Sequence, residues 1–113
     1  MKISELQAII KNGGATLNNN GESVHFIRGY QVSKKDCYTL EVRNVNKILK
    51  AVNSLLDTIT AGEFVGLWVD NGLIYIDVSE CIERLSVALP LGIARKQKSI
   101  YDWCMNRCII LEG

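Results

Sequence analysis

Val65-Gly66-Leu67-Trp68-Val69-Asp70-Asn71-Gly72-Leu73-Ile74-Tyr75-Ile76-Asp77-Val78 spells two strands around a two-residue turn. Asn71 and Gly72 stand at its centre, and Asn-Gly is the strongest short hairpin signal because both residues accept the positive φ that the turn demands. That register sets Val69 opposite Ile74, Leu67 opposite Ile76 and Val65 opposite Val78 on one face. The other face holds Trp68 opposite Tyr75 and Gly66 opposite Asp77. Side chains alternate across a strand, so the aliphatic row belongs in a core. The Trp68/Tyr75 row is either a second packed surface or a contact site, and the residues alone do not choose.

Upstream, Asn44 opens a helix predicted to run over about 44–60, closed by Gly62. Val45, Ile48, Leu49, Val52, Leu55, Leu56 and Ile59 form one apolar stripe at helical spacing, with Arg43, Lys47 and Lys50 nearly opposite. Such a helix should lie on a sheet. Ser4 is the expected N-cap of a first short helix, with Leu6, Ile9 and Ile10 on one side and Asn12-Gly13-Gly14 ending it. Residues 15–17 and 23–27 read as a first hairpin around Asn18-Asn19-Asn20-Gly21. Residues 30–32 and 38–42 read as a second, around the polar turn Ser33-Lys34-Lys35-Asp36.

Downstream, a third helix is expected to turn Leu85, Leu89 and Ile93 to the core. Proline is tolerated in a first helical turn and disfavoured further in, so Pro90 places the regular part from near Ser86 or later to near Lys98. Residues 100–103 and 108–111 form a last hairpin, turned at Met105-Asn106. The order α-ββ-ββ-α-ββ-α-ββ predicts an α+β fold: a mostly antiparallel sheet built from hairpins, with two or three helices on one face. One domain over residues 1–113 is expected, an α-ββ-ββ-α part at about 1–62 followed by a ββ-α-ββ part at about 63–113.

Composition narrows the function. A hydrophobic fraction of 48% and a charged fraction of 22% are those of a globular chain, so the single proline fits no disordered tail. Thirteen basic and twelve acidic side chains give a net charge of +1. A dedicated nucleic-acid binder shows a basic excess, because neutralising phosphates supplies its affinity, and a nucleic-acid mimic shows an acidic one. Neither is present over the whole chain. The halves differ mildly: residues 1–62 hold eight basic and five acidic side chains, residues 63–113 five and seven. No apolar run approaches the ~20 residues that cross a bilayer, and the start lacks a secretory signal's apolar stretch. The expected location is therefore the cytoplasm, away from membranes, with Cys37, Cys81, Cys104 and Cys108 as reduced thiols.

Catalytic patterns are sparse. His25 is the only histidine and falls in an expected strand, with no motif placing a thiol beside it as nucleophile. No Gly-rich phosphate loop occurs between a strand and a helix. Cys104 and Cys108 have a spacing that zinc accepts, but Cys37 and Cys81 are isolated and no second pair exists. Asp70, Asp77, Glu80 and Glu83 crowd the second hairpin's end. Paired carboxylates can do acid–base work or hold magnesium, yet a solvated edge with turn chemistry accounts for them more simply. The expectation is a non-enzyme without cofactor or metal.

Two sets of side chains suit recognition. Trp68, Tyr75, Tyr101 and Trp103 lie on expected strands, and interfaces favour Trp and Tyr as anchors; with Asp70 and Asp77 they form the candidate protein interface. Lys34, Lys35, Arg43, Lys47 and Lys50 are candidates for contact with nucleic acid or an effector, although an amphipathic helix needs a polar side in any case. Arg95-Lys96-Lys98 reads as a helix C-terminus, where cations offset the dipole.

Two stretches carry a resemblance. Ile9-Ile10-Lys11-Asn12-Gly13-Gly14-Ala15-Thr16-Leu17-Asn18, followed by Gly29-Tyr30-Gln31-Val32-Ser33, resembles the start of small accessory proteins of phages and mobile elements in Gram-positive bacteria, anti-CRISPR proteins among them. The span 66–79, then Ala88, Gly92, Gln97 and Ile100-Tyr101-Asp102, resembles a second phage-borne module. The resemblance implies an inhibitor that binds a bacterial defence effector by protein–protein contact, with a Cas nuclease as the leading target. It supplies no catalytic residue. Alternatives from other classes are a nucleic-acid-binding regulator using Arg43, Lys47 and Lys50, and a small enzyme or small-ligand sponge. A homodimer through hairpin edges or the Trp68/Tyr75 face is also open.

Overall fold

The computed structural model describes residues 1–111, leaving out the side chains of residues 35–37. The chain runs α1 (Ile3–Asn12), β1 (Gly14–Leu17), β2 (Tyr30–Glu41), α2 (Val45–Thr58), β3 (Phe64–Asp70), β4 (Leu73–Ile82), α3 (Leu85–Ala94), β5 (Ser99–Asp102) and β6 (Arg107–Ile110). The strands form one antiparallel sheet in the order β1-β3-β4-β2-β5-β6. The fold is mixed α+β, as the element pattern predicts.

The β3–β4 hairpin takes the register its turn dictates, with Val69 opposite Ile74, Leu67 opposite Ile76 and Val65 opposite Val78. Asn71 at φ 51° and Gly72 at φ 76° supply the left-handed corner. The aliphatic row enters the main core with Leu17 of β1, Leu6 of α1, and Ile48, Val52 and Leu55 of α2. A second, smaller core gathers Val32, Ile100 and Ala88 where α3 crosses β2 and β5. Val32 pairs with Glu80, which shares the alternation of Ile74, Ile76 and Val78, so both cores lie on the same face of the sheet.

Several local expectations need correction. Residues 33–36 make no turn: β2 is one strand of 12 residues, paired to β4 from Tyr30↔Ile82 to Glu41↔Leu73. The polar run is taken up by register shifts between Ser33 and Lys35 and between Asp36 and Tyr38, since a bulge accommodates an extra residue and increases twist. The expected strand over 23–27 is reduced to a bridge, Leu17↔Ser23, with Val24 N–H donating to the Thr16 carbonyl at 2.8 Å. Phe26 instead turns in as a plug, its ring edge-on to Phe64 at 5.2 Å and to Trp103 at 5.5 Å. Ser4 lies inside α1, whose N-cap is Lys2, with the Glu5 carboxylate accepting from the Lys2 N–H at 2.8 Å.

The third helix departs most. It begins at Leu85 and ends at Ala94, with Pro90 inside it. Pro90 is exposed, and so is Ser86, whose carbonyl loses its i+4 donor; water can reach that carbonyl, which softens the cost. The buried side is Ala88 and Gly92, while Leu85 and Ile93 are exposed and Leu89 is half-buried. Close approach selects small residues here: a Cβ on Gly92 would stand 2.5 Å from Leu111 Cδ1 and 3.0 Å from Ile100 Cγ2.

The sheet is strongly curled. In a flat sheet, three strand spacings of ~4.8 Å would hold β1 and β2 about 14 Å apart. Yet Thr16 Oγ1 of β1 donates to Gln31 Oε1 of β2 at 3.2 Å. The helix-free face is therefore the inside of a trough.

Candidate functional site

Alternation places Phe64, Gly66, Trp68 and Asp70 of β3 on the helix-free face, beside Leu73, Tyr75, Asp77 and Ser79 of β4. Gln31 and Ser33 of β2 join them through their pairing with Cys81 and Ser79, and Tyr101 of β5 through its pairing with Gln31. Curling wraps all of these except Phe64 and Leu73 around a cleft of about 810 Å3. That volume lies within the ~300–1,000 Å3 of ligand-binding clefts.

Gln31 organises the floor. Its Nε2 donates to Ser79 Oγ at 2.7 Å, and its Oε1 accepts from Trp103 Nε1 and from Thr16 Oγ1, both at 3.2 Å. An indole N–H can only donate, so the amide oxygen must face Trp103. Thr16, Ser79 and Trp103 are all buried, and one amide side chain thus ties three strands and a turn together. Trp103 is fixed further by edge-on contacts with Tyr101 and His25, each at a centroid distance of 5.0 Å. The Asp102 carboxylate below accepts from the Cys104 and Met105 N–H groups at 3.0 and 3.2 Å, which closes the β5–β6 turn.

The rim is aromatic and exposed. Trp68 is 56% accessible and Tyr75 42%, and they stand directly opposite one another on β3 and β4. Gly66 makes room for the Asp77 carboxylate: a Cβ there would lie 2.5 Å from Asp77 Oδ1 and 3.4 Å from Gln31 Nε2. Lys96 and Lys98, on the loop between α3 and β5, line another part of the cleft.

All six expected interface residues, Trp68, Asp70, Tyr75, Asp77, Tyr101 and Trp103, line this one cleft. Their roles differ: Trp103 is a buried structural ring, whereas Trp68, Asp70 and Tyr75 face solvent. The expected basic contacts form no comparable site. Lys34 Nζ pairs with Glu63 Oε2 at 2.9 Å, and Arg43 Nε pairs with Glu41 Oε2 at 2.8 Å. Lys47 and Lys50 are exposed on α2, and the Lys35 side chain lies outside the described residues. Glu80, expected in an acidic cluster with Asp70 and Asp77, sits on the helix side and pairs with Arg95 at 2.9 Å; Glu83 pairs with Arg28 at 3.7 Å. Alternation could have found Gln31, which falls on the same face as Tyr101, but nothing local to it announces three hydrogen-bond partners.

His25 lies outside any strand, its ring exposed over Trp103. Cys81, Cys104 and Cys108 are free thiols, and burial pushes the Cys81 thiol up from its ordinary value of 9.0. Cys37 lies outside the described side chains. Among the described residues, no three His, Cys, Asp or Glu side chains gather as a group that could hold a metal ion. No helix among them is long and apolar enough to cross a membrane. Comparison with protein-family models, with curated proteins and with solved structures gives no match to the chain.

Proposed function

We propose that this chain is a recognition protein, encoded by a phage or mobile element, that captures a protein partner in the trough of its curled sheet. The partner in this reading is a bacterial defence effector, with a Cas nuclease first, and binding inhibits it. One observation carries the recognition half: a helix-free, concave face whose exposed rim is a Trp68/Tyr75 pair over a hydrogen-bonded floor. Exposed Trp and Tyr in a concave setting are what interface hot spots are made of. The sequence resemblance supplies the effector half.

The basic residues have less support as the working surface, because Lys34 and Arg43 are already engaged by Glu63 and Glu41. A charge on a nucleic-acid face should be available to phosphates.

The test is co-elution of the purified chain with candidate effector ribonucleoproteins on gel filtration, paired with plasmid interference in cells. Co-elution and loss of interference, both abolished by Trp68→Ala with Tyr75→Ala, are expected. A chain that co-elutes with none of the effectors and leaves interference intact overturns the inhibitor reading. The cleft volume also admits a small ligand, so a clear rise in melting temperature with one member of a nucleotide panel would move the reading to a ligand sponge.

A further inference from the structure

We infer that the Trp68/Tyr75 end of the trough is a socket for a cationic side chain, an arginine presented by the protein partner. The inference rests on the recognition reading above and names the chemistry of what is recognised. Trp68 and Tyr75 oppose each other on neighbouring strands, so two electron-rich aromatic side chains share one exposed patch. Asp70 lies two residues beyond Trp68 on the same face, and Asp77 two residues beyond Tyr75 on the other side of the pair. Every charged side chain on this face of the β3–β4 hairpin is therefore a carboxylate, because Phe64, Gly66, Leu73 and Ser79 complete it. Side chains two residues apart on one face are ~7 Å apart, within the length of a guanidinium and its last methylenes.

Aromatic faces flanked by carboxylates are complementary to a cation twice over. The ring quadrupole attracts positive charge placed over it, and a carboxylate accepts the cation's N–H groups. Arginine fits better than lysine, since its flat guanidinium can lie on Trp68 while its edge donates to an aspartate. Among the described residues, no cation of the chain itself pairs with Asp70. Across from Asp77, Gly66 leaves room for the Asp77 carboxylate itself, whose Oδ1 would stand 2.5 Å from a Cβ there. Lys96 and Lys98 on the α3–β5 loop line the same cleft.

The probe is a blocked tripeptide, acetyl-Gly-Arg-Gly-amide, titrated into 15N-labelled protein, with the citrulline peptide as its uncharged isostere. Saturable shifts are expected at the Trp68 indole N–H and at the Tyr75 and Asp77 amides. The citrulline peptide should bind about tenfold more weakly, as loss of a charge-assisted contact implies. Asp70→Asn and Trp68→Ala should each weaken the arginine peptide several-fold, and Asp70 stands at an exposed turn where substitution leaves folding alone. Equal binding of the two peptides, or shifts confined to other faces, overturns the inference. The two readings fail separately. If an effector co-elutes and Asp70→Asn with Asp77→Asn leaves that intact while Trp68→Ala abolishes it, the socket is wrong and recognition stands. If the arginine peptide binds as described and no effector co-elutes, the socket stands and the effector is wrong.

Discussion

Replacing Gln31 by alanine removes three hydrogen bonds at once and leaves their partners in a poor setting. Ser79 is 1% accessible and Trp103 9%, so water cannot freely replace the lost amide. The bond to Ser79 is short at 2.7 Å, whereas those from Thr16 and Trp103 are long at 3.2 Å. Counting ~1 kcal/mol for the short bond and ~0.5 for each long one gives about 2 kcal/mol, and a stranded Ser79 hydroxyl or Trp103 N–H brings the total nearer 3. For a chain of this size that is a fall of roughly 10 °C in melting temperature. Urea unfolding followed by far-ultraviolet circular dichroism gives the free energy, and Trp103 emission reports the loss of the indole's partner. Thr16→Val is the control that opens only the link between β1 and β2, at a cost of about 0.5–1 kcal/mol. A Gln31→Ala loss below ~0.5 kcal/mol, or one no larger than that of Thr16→Val, would refute Gln31 as the centre of the floor.

Further outcomes follow from separate contacts. The Lys34 ammonium, with the Thr60 N–H and hydroxyl, lowers the Glu63 carboxyl from its ordinary 4.5 to about 2. The folded state thus binds fewer protons than the unfolded one between those values, so this contribution is full above about pH 4.5 and is lost as pH falls towards 2. Glu63→Gln should flatten that acid limb in melts run from pH 6 to 2, and an unchanged limb would count against the pairing. Gly14→Ala drives a Cβ into the Leu67 carbonyl at a φ of 152°, a backbone collision that cannot relax by rotating a side chain; a loss of about 2 kcal/mol or more is expected from thermal denaturation. In a Cys37→Ser background, a thiol reagent at pH 8 should modify exposed Cys104 first and Cys81 last, since burial disfavours the Cys81 thiolate; mass mapping of early adducts on Cys81 would contradict this.

Much of the fold could be read where local chemistry and tertiary demand agree. Asn71-Gly72 fixed one register, and the register sorted aliphatic from aromatic residues, so the candidate surface was visible as well. The α2 stripe worked for the same reason, with Ile48, Val52 and Leu55 buried as spaced. Local pattern misleads where neighbours far along the chain decide. Ser33-Lys34-Lys35-Asp36 looks like a turn until its place within β2, paired to β4 at ten positions, holds it extended. Val24 and Phe26 have strand character, but Phe26 finds Phe64 and Trp103 to pack on, which outweighs pairing. On α3 the large apolar residues suggested the inward side, yet the helix approaches so closely that only Ala88 and Gly92 fit there. The role of Gln31 is not legible in the sequence, because its contact with Thr16 depends on curvature and no short pattern of residues encodes how far a sheet bends.

That curvature has a further consequence. Because a single amide clasps the two sides of the bend, the distance between the jaws is set by hydrogen-bond lengths rather than by loop flexibility. The protein should behave as a calliper of fixed gap: an occupant too thick to enter could be admitted only by breaking the clasp and loosening the fold with it. Size selection and conformational stability would then be one property, governed by the same side chain.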